Sequence, residues 1–113
     1  VSENDSNKFD LIDRIKKLNP NVLCADFSDE IRSVAIITGG AQGEFRQAIA
    51  QGYDAFITGE ASEWVWHMAK EHKKTFFAAG HTATESYGIQ ALGKHLTEKF
   101  NLNTQFIKIE NPI

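Results

Sequence analysis

Apolar positions in this 113-residue chain follow two periods, and the switches between them mark its elements. Phe9, Ile12, Ile15 and Leu18 fall on one helical face, with Asp10, Asp13 and Arg14 turned to water. Asn19-Pro20 ends that helix, because a residue before proline is kept out of the helical region. "NVLCADF" then reads as a short strand. "SVAIITGG" is a stronger one: Val34, Ala35, Ile36 and Ile37 form the unbroken apolar run expected where both faces of a sheet are covered, and Gly39 and Gly40 end it. From Glu44 the spacing is helical through Phe45, Ala48 and Ile49 to a stop at Gly52.

"YDAFITG" predicts another strand, Ala61 to about His72 a helix, and "FFAAG" a further strand. The last helix carries Ile89, Leu92, Leu96 and Phe100 at intervals of three and four, and "TQFIKIE" closes the chain as a strand with Phe106 and Lys108 on one face. The order αββαβαβαβ predicts an α/β fold, a layered and largely parallel sheet flanked by helices. We expect a flexible polar start over residues 1–8 and a single α/β domain over residues 9–113.

Composition narrows the function. Apolar residues at 42% and charged residues at 24% fit a folded globular domain. A formal charge of −3 provides no field to collect nucleic acid or anionic lipid, so neither is an expected partner. The basic run Lys70 to Lys74 fits a solvated helix end. Cys24 is the only cysteine, flanked by apolar residues, and reads as a small buried hydrophobe in a cytoplasmic protein. No apolar run approaches the roughly 20 residues that span a bilayer.

If the strands are parallel, Thr38-Gly39-Gly40, Thr58-Gly59-Glu60 and Gly80-His81 share one rim, where sheets of this type gather ligands. His81 and Glu85 are spaced i, i+4 and could share one cation, with a chemistry suited to zinc, iron or manganese. The competing reading is a capping box, Thr82-Ala83-Thr84-Glu85, and spacing alone favours it. The glycines of "TGGAQGEF" could present amides to an anion, although a tight strand-to-helix turn explains them more simply. Glu60 could face His81 or merely begin a helix. Glu63, His67 and Glu71 read as a solvated charge row, His95 as surface or satisfied core, and one of Trp64 and Trp66 should face outward.

The stretches "GGAQGEFRQAIAQGYDAFITGEASEWVWHMAKEH", "AAGHTATESYGIQALGKHL" and "FIKIENPI" together resemble the carboxy-terminal half of the Nif-three-like proteins, known as GTP cyclohydrolase type 2 homologues. The most specific element is G-H-x-x-[ST]-E after a strand, supported by T-G-E after an earlier one. The resemblance implies a cytoplasmic, metal-dependent hydrolase-like protein with a dinuclear centre and two divalent transition metal ions per complete site. It also implies a ring-shaped homo-oligomer, usually a hexamer, and a nucleotide or other small-molecule substrate. Under it His81 and Glu85 are metal ligands, and Glu60 is the T-G-E glutamate beside them, not itself a ligand. The family's other ligands, a His-His pair with a further His and an Asp, belong to an amino-terminal half; none of the four histidines here adjoins another. Either the chain is a fragment or those ligands come from elsewhere. The alternative function is a non-catalytic metal- or partner-binding scaffold.

Overall fold

The computed structural model describes residues 2–3, 7–109 and 111. Its elements are β1 (Ser2–Glu3), α1 (Lys8–Leu18), β2 (Leu23–Asp26), β3 (Ser33–Ile36), α2 (Phe45–Ala50), β4 (Ala55–Thr58), α3 (Glu63–His72), β5 (Thr75–Ala78) and α4 (His81–Phe100), with a 3-10 turn at Gln42–Glu44 before α2. The five strands form one sheet in the order β1-β3-β4-β5-β2. The fold is α/β with a helix-flanked sheet.

The central strands β3, β4 and β5 are parallel, in the register Ala35–Phe56–Phe76. Both edges are antiparallel, β1 to β3 and β2 to β5. The expected "largely parallel" sheet is therefore parallel only at its centre. Chain length explains the β2 edge: residues 27–32 alone join β2 to β3, whereas a parallel crossover takes about a dozen residues or more. The flexible polar start expected over residues 1–8 falls partly on residues with regular structure. Ser2–Glu3 pairs with β3, Asn7 caps α1 by accepting from the Phe9 N–H, and Lys8 is helical; residues 1 and 4–6 lie outside the described residues.

On one sheet face α2 and α3 bury Phe45, Ala48, Val65 and Ala69 against Ala25, Phe56 and Phe76, with Phe45, Phe56 and Phe76 meeting at ring distances of 5.0–5.9 Å. On the other, α1 lays Ile15 over Val34, Ala55 and Phe77. Cys24 packs beside this second cluster. Burial, then the Asp26 carboxylate nearby, pushes its thiol up to about 11. Alkylation by iodoacetamide at neutral pH should be slow in the native protein and rapid after unfolding.

The rim where the parallel strands begin is stitched by Asp54. Its Oδ2 accepts from the Arg32 N–H, the Ser33 N–H and the Ser33 hydroxyl, each at 3.0 Å, and Lys74 Nζ lies 3.5 Å from Oδ1. Burial alone would raise this carboxyl, but the Arg32 and Ser33 donors and the Lys74 charge outweigh it and hold the carboxyl below its ordinary value. Its contribution is therefore present above the unfolded carboxyl pKa and lost as pH falls through the lower folded one. Asp54→Ala should cost about 2 kcal/mol in urea unfolding at neutral pH, with the gap from the parent closing in acid.

Two predicted features differ at the carboxy-terminal end. Residues 101–109 contain no strand; the chain turns back at Asn101 (φ 53°), and Thr104 Oγ1 donates to the Gly93 carbonyl at 3.1 Å. A strand requires a ladder, and the described sheet, β1-β3-β4-β5-β2, does not extend to "TQFIKI". No residue of α4 is buried either, and Ile89, Leu92 and Phe100 are more than half or about half exposed. The Cα radius of gyration, 15.5 Å, exceeds the roughly 13 Å of a compact chain this long, as a projecting 20-residue helix would make it. Ile36 and Ile37 are exposed as well, so the end of β3 is not covered on both faces as the apolar run suggested.

Candidate metal centre

The carboxyl ends of β3, β4 and β5 lie on one rim, as a parallel trio requires, and backbone hydrogen bonds tie their extensions together. The Gly59 N–H donates to the Gly39 carbonyl at 2.8 Å and the Gly80 N–H to the Gly59 carbonyl at 2.9 Å. Contact this close depends on glycine: a Cβ on Gly59 would lie 2.7 Å from both the Gly39 carbonyl oxygen and His81 Cα. Gly39 (φ 72°) and Gly80 (φ 93°) also occupy the left-handed region that disfavours side chains.

Helix α4 begins at His81 with Gly80 as its N-cap, and its first bond runs from the Thr84 N–H to the Gly80 carbonyl at 3.0 Å. Thr82 is thus already inside the helix, and the capping box does not form. Glu85 instead turns to His81, with Oε1 3.3 Å from Nε2. On the far side of the ring, His81 Nδ1 meets Glu60 Oε1 at 2.5 Å. The hydrogen bond to Glu60 raises the His81 pKa above its ordinary 6.5; partial burial opposes this, and the charges of Glu85 and Glu60 reinforce it. All three side chains remain 39–55% exposed, open to a ligand from solution.

A gap of 3.3 Å is long for an N–H···O bond, which prefers about 2.7–3.2 Å. It matches the roughly 3.4 Å between two donors each about 2.1 Å from a tetrahedral cation. The space beside the pair is kept open by Gly39, whose Cβ would stand 2.5 Å from Glu85 Oε1 and 3.2 Å from His81 Nε2. The donor types and the cradle fit a divalent transition metal. Among the described residues, however, no group of three or more His, Cys, Asp or Glu side chains is arranged to hold one, so the fit is that of part of a centre.

Other candidates separate from this rim. Two amides of the glycine-rich loop are already engaged, Gly39 N–H by Thr84 Oγ1 at 3.1 Å and Ala41 N–H by Thr58 Oγ1 at 3.2 Å, and are not free for an anion. Glu63, His67 and Glu71 stay exposed on α3, and His95 packs edge-on against Phe100. Trp66 faces outward against Phe27 while Arg46 covers half-buried Trp64. Sequence reasoning missed Gly39 as the floor of the cradle and Thr84 as its anchor. The available signals were a glycine within three residues of the end of each parallel strand and a threonine four residues after Gly80, placed to back-bond its carbonyl. Beside Glu85, a groove of about 890 Å³ runs between the end of α1, the first turns of α4 and residues 106–109, with Asn19, Asn21 and Gln90 among its polar lining.

Comparison with known proteins gives one consistent family. The model of Duf34/NIF3 (NGG1p interacting factor 3) matches residues 2–112. A Yersinia pestis protein named GTP cyclohydrolase 1 type 2 homolog is 52% identical over 99 residues, covering 86% of this chain and 40% of its own. Among solved structures, protein ybgI, described as of unknown function, superposes with a TM-score of 0.85 at 42% identity, over 93% of this chain and 44% of that one. A protein from Thermus thermophilus superposes at 0.79 with 28% identity, over 89% and 41%. The chain thus spans about two fifths of the length of these relatives. Among its described residues, no helix is long and apolar enough to cross a membrane.

Proposed function

The chain belongs to the Duf34/NIF3 family, and from that premise we propose that it is a metal-dependent hydrolase-like protein whose His81 and Glu85 hold one divalent cation. The observation carrying this reading is the 3.3 Å separation of Nε2 and Oε1 over a cradle that a Cβ at Gly39 would fill. His81 offers a ring nitrogen and Glu85 a carboxylate oxygen, a pair suited to zinc, iron or manganese. A cation there would supply Lewis acidity, bringing the pKa of water from about 15.7 toward 7 for hydrolysis. The adjoining groove supports a small-molecule substrate, and the relatives' name suggests a nucleotide.

A dinuclear centre needs ligands beyond this pair, and the uncovered share of the relatives is where this proposal places them. Self-association into a ring-shaped hexamer belongs to the same proposal, supported by the unburied apolar face of α4. So does a cytoplasmic location, supported by the unpaired thiol of Cys24. A specific observation favours the alternative of a non-catalytic scaffold: the incomplete ligand set among the described residues.

Elemental analysis after dialysis against zinc separates the metal reading from a scaffold that binds partners without metal. Under the metal reading, His81→Ala and Glu85→Ala each lower zinc retention at least about tenfold with an unchanged circular dichroism spectrum; equal retention by parent and variants favours the scaffold. Zinc uptake should also weaken as pH falls through the raised His81 pKa, because a proton then occupies Nε2. Titration of uptake across the neutral range checks this.

A further inference from the structure

We propose that Glu60 is the positioning residue for His81, fixing the orientation and tautomer of its ring so that Nε2 is the nitrogen presented beside Glu85. This deepens the metal reading above and rests on it for the part that concerns the ion. The contact between Glu60 Oε1 and Nδ1, at 2.5 Å, is the shorter of the two that His81 makes; the contact to Glu85 spans 3.3 Å. The two ring nitrogens face away from each other, so an oxygen that accepts from Nδ1–H is not available to an ion at Nε2. Glu60 therefore acts through the imidazole, and Glu85 acts beside it.

The backbone makes the placement stiff. Glu60 and His81 each directly follow a glycine, and those two glycines are joined by the bond from the Gly80 N–H to the Gly59 carbonyl. Gly59 leaves no room between itself and His81 Cα, and the Glu60 carboxyl lies against Gly40, whose Cβ would sit 3.4 Å from it. Nor is Glu60 employed at the start of α3, where the N-cap is Ser62 and the Val65 N–H donates to the Ser62 carbonyl. A carboxylate locking one imidazole nitrogen raises the basicity of the other and removes the cost of choosing a tautomer, and losing such a partner weakens metal affinity about 10- to 100-fold.

Two readouts test this on the full chain. In metal-free protein in alkaline solution, where the ring is neutral, nitrogen NMR of His81 should show the proton on Nδ1. Glu60→Ala should shift the population toward Nε2–H, and Glu60→Gln, whose amide oxygen can still accept, should restore much of the Nδ1–H form. In competition with a chromophoric chelator, Glu60→Ala should bind zinc about 10- to 100-fold more weakly, with Glu60→Gln in between. A parent ring carrying its proton on Nε2, or a Glu60→Ala protein with unchanged tautomer, overturns the assignment. If instead the parent and His81→Ala take up zinc equally, the metal reading fails while the tautomer measurement still decides the role of Glu60.

Discussion

Alanine at Gly39 should nearly abolish zinc binding while leaving the fold in place. Its Cβ would stand 2.5 Å from Glu85 Oε1 and 3.2 Å from His81 Nε2, in the space between the proposed ligands. Glu85 is a flexible side chain with 55% exposure, so its carboxylate can swing outward, and that movement separates the pair. The structural cost is then mainly that of a left-handed non-glycine residue at φ 72°, about 1–2 kcal/mol. We expect zinc affinity to fall at least about 100-fold in chelator competition, with a cooperative urea transition retained. Equal affinities in parent and Gly39→Ala would show that the cradle is not where the ion sits.

Gly59→Ala should do the reverse and damage the fold first. Here the close neighbours are main-chain atoms, the Gly39 carbonyl oxygen and His81 Cα at 2.7 Å, which cannot rotate away. Relief requires β3, β4 and the start of α4 to part, stretching the bonds between Gly59 and Gly39 and between Gly80 and Gly59. Overpacking alone costs about 1–3 kcal/mol, and each weakened buried hydrogen bond adds about 1 kcal/mol. A total of about 3 kcal/mol or more corresponds to a Tm lower by roughly 10 °C or more in a chain of this size. A thermal melt within about 2 °C of the parent would show that the rim is looser than these distances require.

The different fates of these two glycines show what the sequence made legible. Period and punctuation located α1, α3 and the three parallel strands, because an apolar run bounded by glycine or proline is a local property. They also brought Gly39, Glu60 and His81 to one rim, since three successive strand ends of a parallel sheet must meet there. Direction and covering are not local. The apolar stripe of Ile89, Leu92 and Phe100 predicts a face to be covered, yet nothing among the described residues covers it. Likewise "TQFIKIE" has strand chemistry, yet the described sheet does not extend to "TQFIKI", and Glu110 lies outside the described residues. The run of β2 was readable only through the short connection to β3.

The capping-box reading failed by two residues. With Gly80 rather than Thr82 at the N-cap, the same Glu85 that would have reached back to a backbone amide faces an imidazole. Spacing cannot resolve that choice, because Glu85 stands three residues after Thr82 and four after His81, and each separation suits one of the two arrangements. The bond from the Thr84 N–H to the Gly80 carbonyl does resolve it.

The most direct measurement is anomalous diffraction at the zinc edge from crystals of the chain equilibrated with excess zinc. The proposed centre requires a peak shared by His81 Nε2 and Glu85 Oε1, about 2.0–2.2 Å from each. Zinc peaks confined to other histidines, with Nε2 and Oε1 still in direct contact, would contradict it.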